Sequence, residues 1–451
     1  MEWYGAMMSL HLFTVVLAYS FLCNALPIQD SNRVELIQAL TQNDQNRRAI
    51  LEESLPGTFE GDMVLTPLQK KAIRDDVIAQ KTGRYGRKRK ILADTNSYWP
   101  QAIVPYEIHS NYTPGSYMWG NIQSAIQMWE SQTCIRFKPR SMALSAQLGH
   151  KDYLLIRPWP DSGQGCIANV GRIRGKQFIN ISMICSNGQI AHELGHTIGF
   201  VHEQSRPDRD LYVHINYDNV ATNQARQFEK YSNAKVSTYK LPYDISSIMH
   251  YKSTAFSKNQ RLLRTITTDD PLVQKWMGQR NFVSFLDAKL ANLAYRCNAG
   301  CPVSPPCQNG GYVGPSCICV CPAGLTGPAC DTPQVAKGCG GRLTGTHGVI
   351  QSSNYPQNYN LNTKCSWLIE APEQSSIDLQ IQEFHIEDGD DCNNDFLEIK
   401  LYGVQQVGEK YCGESANGRN ITYHGDGKLL IRFVSDFAVV ERGFRIVYRV
   451  V

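Results

Sequence analysis

Three histidines and a glutamate stand at fixed spacing in the segment His192–His202, which has the pattern HExxHxxGxxH. On a helix, His192 and His196 lie one turn apart on the same face, where two imidazoles can bind one metal ion. Gly199 can adopt the left-handed backbone that ends a helix, so the chain can turn and bring His202 back as a third ligand. Three protein nitrogens that leave a fourth position open are typical of a catalytic zinc site.

Glu193 directly follows the first histidine and is expected to face the open position. Zinc lowers the pKa of a bound water from about 15.7 toward about 7. Glu193 can then take the proton while the hydroxide attacks a peptide carbonyl, and can later deliver it to the leaving amine. The alternative is three ordinary core histidines on an apolar helix, which the extended pattern disfavours because so many of its positions match at set spacing.

The elements that must position these residues lie in the segment 91–297, which has mixed α/β character. Apolar, β-rich runs predict strands over 103–108 and 153–156. Apolar residues at helical spacing predict a helix over 120–131. The histidine motif lies on a second predicted helix, 189–200, which contains no proline and ends near a glycine.

A Met-containing segment, Ser247–Tyr251, follows the histidine motif, and Glu203 stands directly after the third histidine. An extended histidine motif with a downstream Met-turn is the signature of metzincins. Together with Glu203, it makes the chain resemble the astacin family over 91–297. The resemblance implies a zinc metalloendopeptidase with an α+β metzincin fold, in which the zinc helix lies between two subdomains. Further matching segments are Gly165-Cys166, Val170–Arg172, Arg206–Asp210, Ile215-Asn216 and Met277–Arg280.

The resemblance also implies roles for residues around the motif. Met249 would form an apolar floor beneath the histidines. Tyr251 would ligate zinc in the resting enzyme and then hydrogen-bond the tetrahedral intermediate. Glu203 would be buried and bind the new N-terminal ammonium after propeptide removal, since a buried carboxylate needs such a partner. The implied disulfides of this domain are Cys134–Cys297 and Cys166–Cys185.

Residues 26–90 are polar and free of cysteine, and we interpret them as a propeptide that an activating protease removes. They end in a basic run that indicates a processing site, with a solvated surface or a nucleic-acid patch as the alternative. The candidate processing residues are Arg87, Arg89 and Lys90. The segment Phe59–Asp62 resembles the Phe-x-Gly-Asp motif of the family. That resemblance implies that Asp62 occupies the water position on zinc and keeps the enzyme inactive.

The N-terminus and the cysteines predict a secreted, extracellular protein. Leu12–Leu22 is an apolar run of signal-peptide length that is too short to span a bilayer, and cleavage is expected after Ala25. A buried N-terminal helix is the alternative. The chain has 15 cysteines, and an even number remains without Cys23, which suits disulfides formed in an oxidising compartment.

Charge and hydropathy exclude some partners. No other stretch approaches ~18 apolar residues, so no transmembrane anchor is expected. The net charge of +4 is small for 451 residues and does not favour a nucleic-acid partner.

The secretory context makes the Asn-x-Ser/Thr triplets candidates for glycosylation. They are Asn111, Asn180 and Asn420.

Two smaller modules follow the catalytic segment. Residues 298–331 are rich in Gly, Pro and Cys and cannot bury a proper core, so disulfides must stabilise them. They resemble an EGF-like module, for which Cys321–Cys330 is the implied pairing. Alternating runs such as 429–434 and 444–448 predict an all-β sandwich, and residues 339–451 resemble a CUB domain. The implied CUB disulfides are Cys339–Cys365 and Cys392–Cys412.

Three acidic residues of the CUB-like segment stand where some CUB domains bind calcium. They are Glu387, Asp395 and Asp436, and hard oxygen ligands suit Ca²⁺. An ordinary acidic loop is the alternative interpretation of these residues.

The resemblance as a whole implies a secreted, multidomain zinc endopeptidase that hydrolyses extracellular or matrix proteins. The single EGF-like and CUB copies resemble nematode astacins, which points to cuticle or egg-envelope substrates. The alternative is a catalytically silent extracellular binding protein that acts through its CUB domain. The intact Glu193 and the three histidines argue against that alternative.

Overall fold

The computed structural model describes residues 58–73, 91–92, 94–159, 165–232, 236–269 and 273–451. All of them belong to one compact unit of the chain, 52–451. The predicted signal peptide, 1–25, and the processing residues Arg87, Arg89 and Lys90 lie outside the described residues. Within the described ranges, no helix combines the length and apolar character that crossing a bilayer requires.

A six-stranded sheet is the main element of the first part of the chain. The strands up to residue 297 are β1 (Met63–Val64), β2 (Ile91–Leu92), β3 (Ile103–Ile108), β4 (Arg136–Pro139), β5 (Tyr153–Pro158), β6 (Cys166–Asn169), β7 (Lys176–Ile181), β8 (Val213–Ile215), β9 (Val236–Ser237) and β10 (Ile266–Thr268). The sheet has the order β1-β6-β7-β5-β3-β4, and only the β6–β7 pair is antiparallel. Strand β1 comes from the predicted propeptide, so this segment lies along the sheet edge at β6.

Four α-helices in the described part of the segment 94–297 accompany the sheet. They are α1 (Tyr117–Glu130), α2 (Met142–Leu148), α3 (Asn187–Thr197) and α4 (Phe285–Ala294). Helix α1 begins before its predicted start at residue 120, because the Ser116 hydroxyl caps it by accepting from the Trp119 N–H at 3.3 Å. Its buried face follows the predicted helical spacing, with Met118, Ile122, Ala125, Ile126 and Trp129 turned inward.

Helix α3 carries the histidine motif and is fixed at both ends. Ser186 and Gln189 form a capping box at its start, in which the Gln189 side chain accepts from the Ser186 N–H at 2.7 Å. The helix ends at Thr197, and Gly199 has φ of 104°, a conformation that favours glycine. The helix therefore starts and stops earlier than the predicted range 189–200.

Two buried tryptophan indoles attach α3 to its surroundings. Trp129 Nε1 donates to the Ala191 carbonyl at 2.8 Å, and Trp99 Nε1 donates to the Thr197 carbonyl at 2.9 Å. A buried indole N–H requires an acceptor, so these bonds hold the helix at its middle and at its end.

Among the described residues, the apolar core of this first part has two large clusters and two small ones. One cluster packs the sheet against α1, α3 and α4, and a second is built from residues 213–277. Met249 belongs to the first cluster and Tyr251 to the second, so the Met-turn connects them. The arrangement of two subdomains with the zinc helix between them, which the family resemblance implies, stays a prediction.

The segment 298–331 consists of two short hairpins and three disulfides. Strand β11 (Tyr312–Val313) pairs with β12 (Cys319–Val320), and β13 (Leu325–Thr326) pairs with β14 (Thr332–Pro333). The structure joins Cys321 to Cys330, as the resemblance implies. It also joins Cys301 to Cys317 and Cys307 to Cys319. The interpretation of this segment as EGF-like stays a prediction.

The C-terminal segment is an all-β sandwich, as predicted. Its strands are β15 (Gly341–Leu343), β16 (His347–Gln351), β17 (Lys364–Glu370), β18 (Ser376–His385), β19 (Phe396–Ile399), β20 (Glu409–Tyr411), β21 (Asn420–His424), β22 (Lys428–Val434) and β23 (Gly443–Val450). They form one sheet of order β15-β17-β22-β19-β20 and another of order β16-β23-β18-β21. The disulfides Cys339–Cys365 and Cys392–Cys412 lie here, and Cys134–Cys297 and Cys166–Cys185 lie in the first part.

Lys289 on α4 lies where the three parts of the chain meet. Its Nζ donates to the Gly310 carbonyl at 2.8 Å and to Gln405 Oε1 at 2.7 Å. The small module also packs against the sandwich through an apolar cluster of Leu325, Leu368, Val404 and Leu430. The small module and the sandwich therefore contact the first part of the chain directly, and they also contact each other.

The three predicted glycosylation sites differ in their exposure to solvent. Asn111 and Asn420 are exposed. Asn180 is 9% exposed on strand β7, and its Oδ1 accepts from Arg157 Nε at 2.8 Å. A glycan at this amide would need room that the packed sheet does not offer, so the structure argues against modification of Asn180.

Candidate active site

The three predicted zinc ligands meet in the interior. His192 and His196 lie on α3, and His202 returns after the Gly199 turn; all three are fully buried. The Nε2 atoms of His192 and His196 are 3.1 Å apart. The three rings are 4.7 to 5.3 Å apart, centroid to centroid. The i, i+4 spacing and the glycine turn thus give the arrangement expected from the sequence.

The outer nitrogens of the two helical ligands face backbone oxygens. His192 Nδ1 lies 2.7 Å from the Ile248 carbonyl, and His196 Nδ1 lies 2.9 Å from the Phe200 carbonyl. A carbonyl can only accept, so each Nδ1 must carry the proton. In the neutral rings, both Nε2 atoms then direct lone pairs into the site.

Asp62 from the predicted propeptide closes the site. Its Oδ2 lies 3.0 Å from His192 Nε2 and 3.1 Å from His202 Nε2, and its Oδ1 lies 3.4 Å from His196 Nε2. One ligand atom from each of the four residues falls within 4.8 Å of the others. Nitrogen lone pairs and a carboxylate this close repel one another unless a cation lies between them, and imidazole with carboxylate is a donor set that suits zinc. The residues present therefore fit a zinc ion.

Burial and the neighbouring charges shift the pKa values of these groups strongly. Burial lowers the pKa of His192 well below its usual value, and Arg280 acts in the same direction, so this ring is neutral. Burial raises the pKa of Asp62, but its interactions with the three histidines, that with His202 first among them, bring the pKa well below the usual range. Burial lowers the pKa of His202, but Asp62 and Glu60 raise it to about 9. The carboxylates of Asp62 and Glu60 thus favour positive charge at the His202 ring.

Met249 and its turn pack against the helix that carries His192 and His196. A Cβ added at Gly195, between the two helical ligands, would lie 2.6 Å from Met249 Sδ, so the thioether packs directly on the helix backbone. Asp287 on α4 fixes the turn, because its carboxylate accepts from Ser247 Oγ at 2.6 Å and from the Ile248 N–H at 2.8 Å. Sequence reasoning missed Asp287. The Ser284-x-x-Asp287 capping pattern would have indicated only a helix start.

Glu193 is fully buried beside His192. That its carboxylate faces the open position stays a prediction. Tyr251 packs its ring 4.5 Å from the His202 ring, centroid to centroid. Its hydroxyl donates to the Glu60 carbonyl at 2.6 Å. Tyr251 thus contacts the predicted propeptide segment, and its role as a resting zinc ligand stays a prediction.

Family comparison identifies the region around this site. Residues 91–296 match the family model described as Astacin, a peptidase family, and residues 339–448 match that of the CUB domain. Residues 91–296 are an astacin domain. The histidine motif, the Met-turn and the two-part core described above all lie within it.

Curated relatives extend the astacin likeness beyond this domain. Protein SpAN of Strongylocentrotus purpuratus is 38% identical over 407 residues, and Blastula protease 10 of Paracentrotus lividus is 39% identical over 399. Zinc metalloproteinase nas-30 of Caenorhabditis elegans is 36% identical over 366 residues. The matches cover 89%, 87% and 78% of this chain, but 64%, 65% and 46% of the relatives. The chain thus spans less than two thirds of the relatives' length, and the narrower nematode-type assignment stays a prediction.

Glu203 of the astacin domain has a partner that the sequence did not indicate. The carboxylate is fully buried, and its Oε1 accepts from Arg206 Nη1 at 3.1 Å and from the Asp244 N–H at 2.8 Å. Arg206 therefore pairs with Glu203 in this structure, in which residues 58–73 lie beside the astacin domain. Binding of a new N-terminal ammonium by Glu203 stays a prediction.

The CUB domain contains a second carboxylate cluster. One oxygen from each of Glu387, Asp395 and Asp436 lies within 4.8 Å of the others. Asp395 is buried and accepts from the Tyr359 hydroxyl at 2.6 Å and from the Asp436 N–H at 2.7 Å. Burial raises the pKa of Asp395, and the charge of Asp436 acts in the same direction. These carboxylates repel one another, as expected for a site that a cation would stabilise.

Proposed function

We propose that this chain is a zinc-dependent endopeptidase made as a latent precursor. The observation that carries the proposal is the convergence of three buried imidazole Nε2 atoms on Asp62, which belongs to a segment preceding the astacin domain. The three imidazoles would hold the zinc after Asp62 leaves, and one coordination position would then be open.

The side chains at the site suit peptide hydrolysis. A bound zinc ion would supply Lewis acidity toward water and toward a peptide carbonyl. Glu193 would take a proton from the attacking water and deliver it to the leaving amine. Tyr251 would donate its hydroxyl hydrogen bond to the carbonyl oxygen of the substrate once the Glu60 carbonyl has left. His192 and His196 keep their orientation through the carbonyls at their Nδ1 atoms.

The edge of the astacin sheet offers a place for an extended substrate. Strand β1 occupies it in the precursor: the Ala168 N–H donates to the Asp62 carbonyl at 3.1 Å, and Asn169 Nδ2 donates to the Val64 carbonyl at 3.0 Å. When residues 58–73 leave, the same groups become available to another extended peptide. We infer that one surface serves both inhibition and substrate binding.

Secretion and processing complete the proposal. The apolar N-terminus, the disulfides and the CUB domain support an extracellular protein that an activating protease trims at Arg87, Arg89 or Lys90. Extracellular or matrix proteins are the proposed substrates. The alternative is a catalytically silent protein that binds partners through its CUB domain. It would be favoured only if the trimmed chain held zinc and hydrolysed no substrate.

Removal of zinc should abolish hydrolysis by the trimmed, secreted chain. We expect a zinc chelator to lower cleavage of a casein-type substrate by about 100-fold or more, because a metal supplies several kcal/mol of transition-state stabilisation. One equivalent of zinc added back should restore the rate. A chelator selective for calcium is the control and should leave the rate unchanged. Full activity in a metal-free sample would contradict the proposal.

We further propose that the CUB carboxylates bind calcium. Calorimetry on the full chain should show one site with a Kd on the order of 10⁻⁴–10⁻³ M, the range of extracellular modules. Asp395→Asn should remove the signal because it takes a charge from the centre of the cluster, whereas Glu373→Gln, an exposed change on the same domain, should not. Absence of heat from wild type at millimolar calcium would refute this site.

A further inference from the structure

The third histidine ligand differs from the other two in its outer partner. His192 Nδ1 and His196 Nδ1 face backbone carbonyls of the astacin domain itself. His202 Nδ1 lies 2.8 Å from Glu60 Oε2, and Glu60 belongs to the propeptide segment. Glu60 is 1% exposed and His202 is fully buried, so solvent does not weaken this contact.

A tight turn of the propeptide holds Glu60 in place. Phe59 and Met63 exchange backbone hydrogen bonds of 2.8 and 3.1 Å, which closes the segment into a loop. Glu60 has φ of 49° and Gly61 has φ of 85°, so both residues adopt the left-handed conformation. The carbonyl of Glu60 also accepts from the Tyr251 hydroxyl. The position of the Glu60 carboxylate is therefore fixed by its backbone.

The turn contacts both nitrogens of one ring. Glu60 Oε2 faces His202 Nδ1, and Asp62 Oδ2 lies 3.1 Å from His202 Nε2. A carboxylate that accepts from the outer N–H of a metal-binding histidine orients the ring and raises its basicity toward the metal. Loss of such a partner typically costs 10–100-fold in metal affinity.

We propose that Glu60 is a positioning residue for His202, so that the propeptide tightens zinc binding in the precursor in addition to filling the open position. Removal of the propeptide then withdraws the carboxylate partner of His202 together with the ligand Asp62. The precursor consequently holds zinc more firmly than the trimmed enzyme does. This inference rests on the zinc site proposed above.

Zinc release to a chromogenic chelator tests the inference on the intact precursor, with its cleavage sites blocked. We expect Glu60→Gln to release zinc about 10-fold faster than wild type, since the amide keeps the size of the side chain but loses its charge. The matched control is Gln69→Ala. Gln69 anchors the same segment by donating to the Val170 carbonyl at 2.9 Å, a contact on the astacin backbone rather than on a histidine. Its zinc release should stay close to that of wild type.

The trimmed enzymes, made from versions of these variants that keep their cleavage sites, provide an internal check, because every such precursor yields the same mature sequence. All of them should release zinc at one common rate, faster than the wild-type precursor. The inference would be overturned if the Glu60→Gln and wild-type precursors released zinc at the same rate. It would also be overturned if Glu60→Gln and Gln69→Ala accelerated zinc release equally. A wild-type precursor that binds no zinc would instead refute the proposed metal site itself.

Discussion

Glu193→Gln should reduce peptide hydrolysis by the trimmed chain by on the order of 10²–10⁴-fold, the usual contribution of a general acid–base group. The amide has the shape of the carboxylate but cannot accept and return a proton. Zinc binding should be unchanged, because the ligand atoms come from His192, His196 and His202 and not from Glu193. The loss should therefore appear in kcat with little change in KM.

The measurement compares steady-state rates and zinc content for wild type and Glu193→Gln. Glu414→Gln is a matched control, since it removes the same charge from a side chain that is 71% exposed on the CUB domain. Melting temperatures of the three proteins separate a chemical effect from an effect on folding. A Glu193→Gln protein that folds, holds zinc and keeps more than about a tenth of the wild-type rate would contradict the assigned role.

Asp62→Ala should make the uncut precursor active. Loss of one partner from a buried charged cluster costs about 3 kcal/mol or more, and each 1.4 kcal/mol is a tenfold change in the fraction of chains whose site is open. We therefore expect precursor activity to rise on the order of 100-fold. Asp62→Asn keeps the size of the side chain without its charge and should give a smaller rise.

The assay uses precursors in which Arg87, Arg89 and Lys90 are replaced by serine, and mass spectrometry confirms that they stay uncut. Lys70→Ala, an exposed change in the same segment, is the control and should remain latent. If the Asp62→Ala precursor were as silent as wild type, then blockage by strand β1 and the neighbouring turn would be sufficient for latency, and the carboxylate would not be the inhibitor.

The features that the sequence predicts best are local in the chain. His192 and His196 are one helical turn apart, and a glycine near the helix end allows His202 to return, so spacing alone indicates the ligand set. Alternation of apolar residues likewise predicts the CUB strands. Helix boundaries were less accurate, because the caps Ser116 and Ser186 lie before the apolar pattern begins.

The features that sequence reasoning missed join distant residues. Asp287 binds Ser247 and Ile248 of the Met-turn, which lie 40 and 39 residues earlier in the chain. Glu60 contacts His202, which lies 142 residues later. A carboxylate has no intrinsic preference for either partner, so only the folded chain reveals the pairing. The burial of Asn180 could not be predicted for a related reason, because a three-residue triplet does not encode the burial of a strand.

The turn Phe59–Met63, which we propose to be inhibitory, belongs to the same chain as the site it covers, and this would shape activation. A covalently tethered group acts at an effective concentration that is millimolar for a short flexible connection. The turn can therefore keep the site closed without high intrinsic affinity. A single cut between the turn and the domain dilutes the freed peptide into the surroundings, where it no longer competes. Activation by one hydrolysis is consequently irreversible in practice.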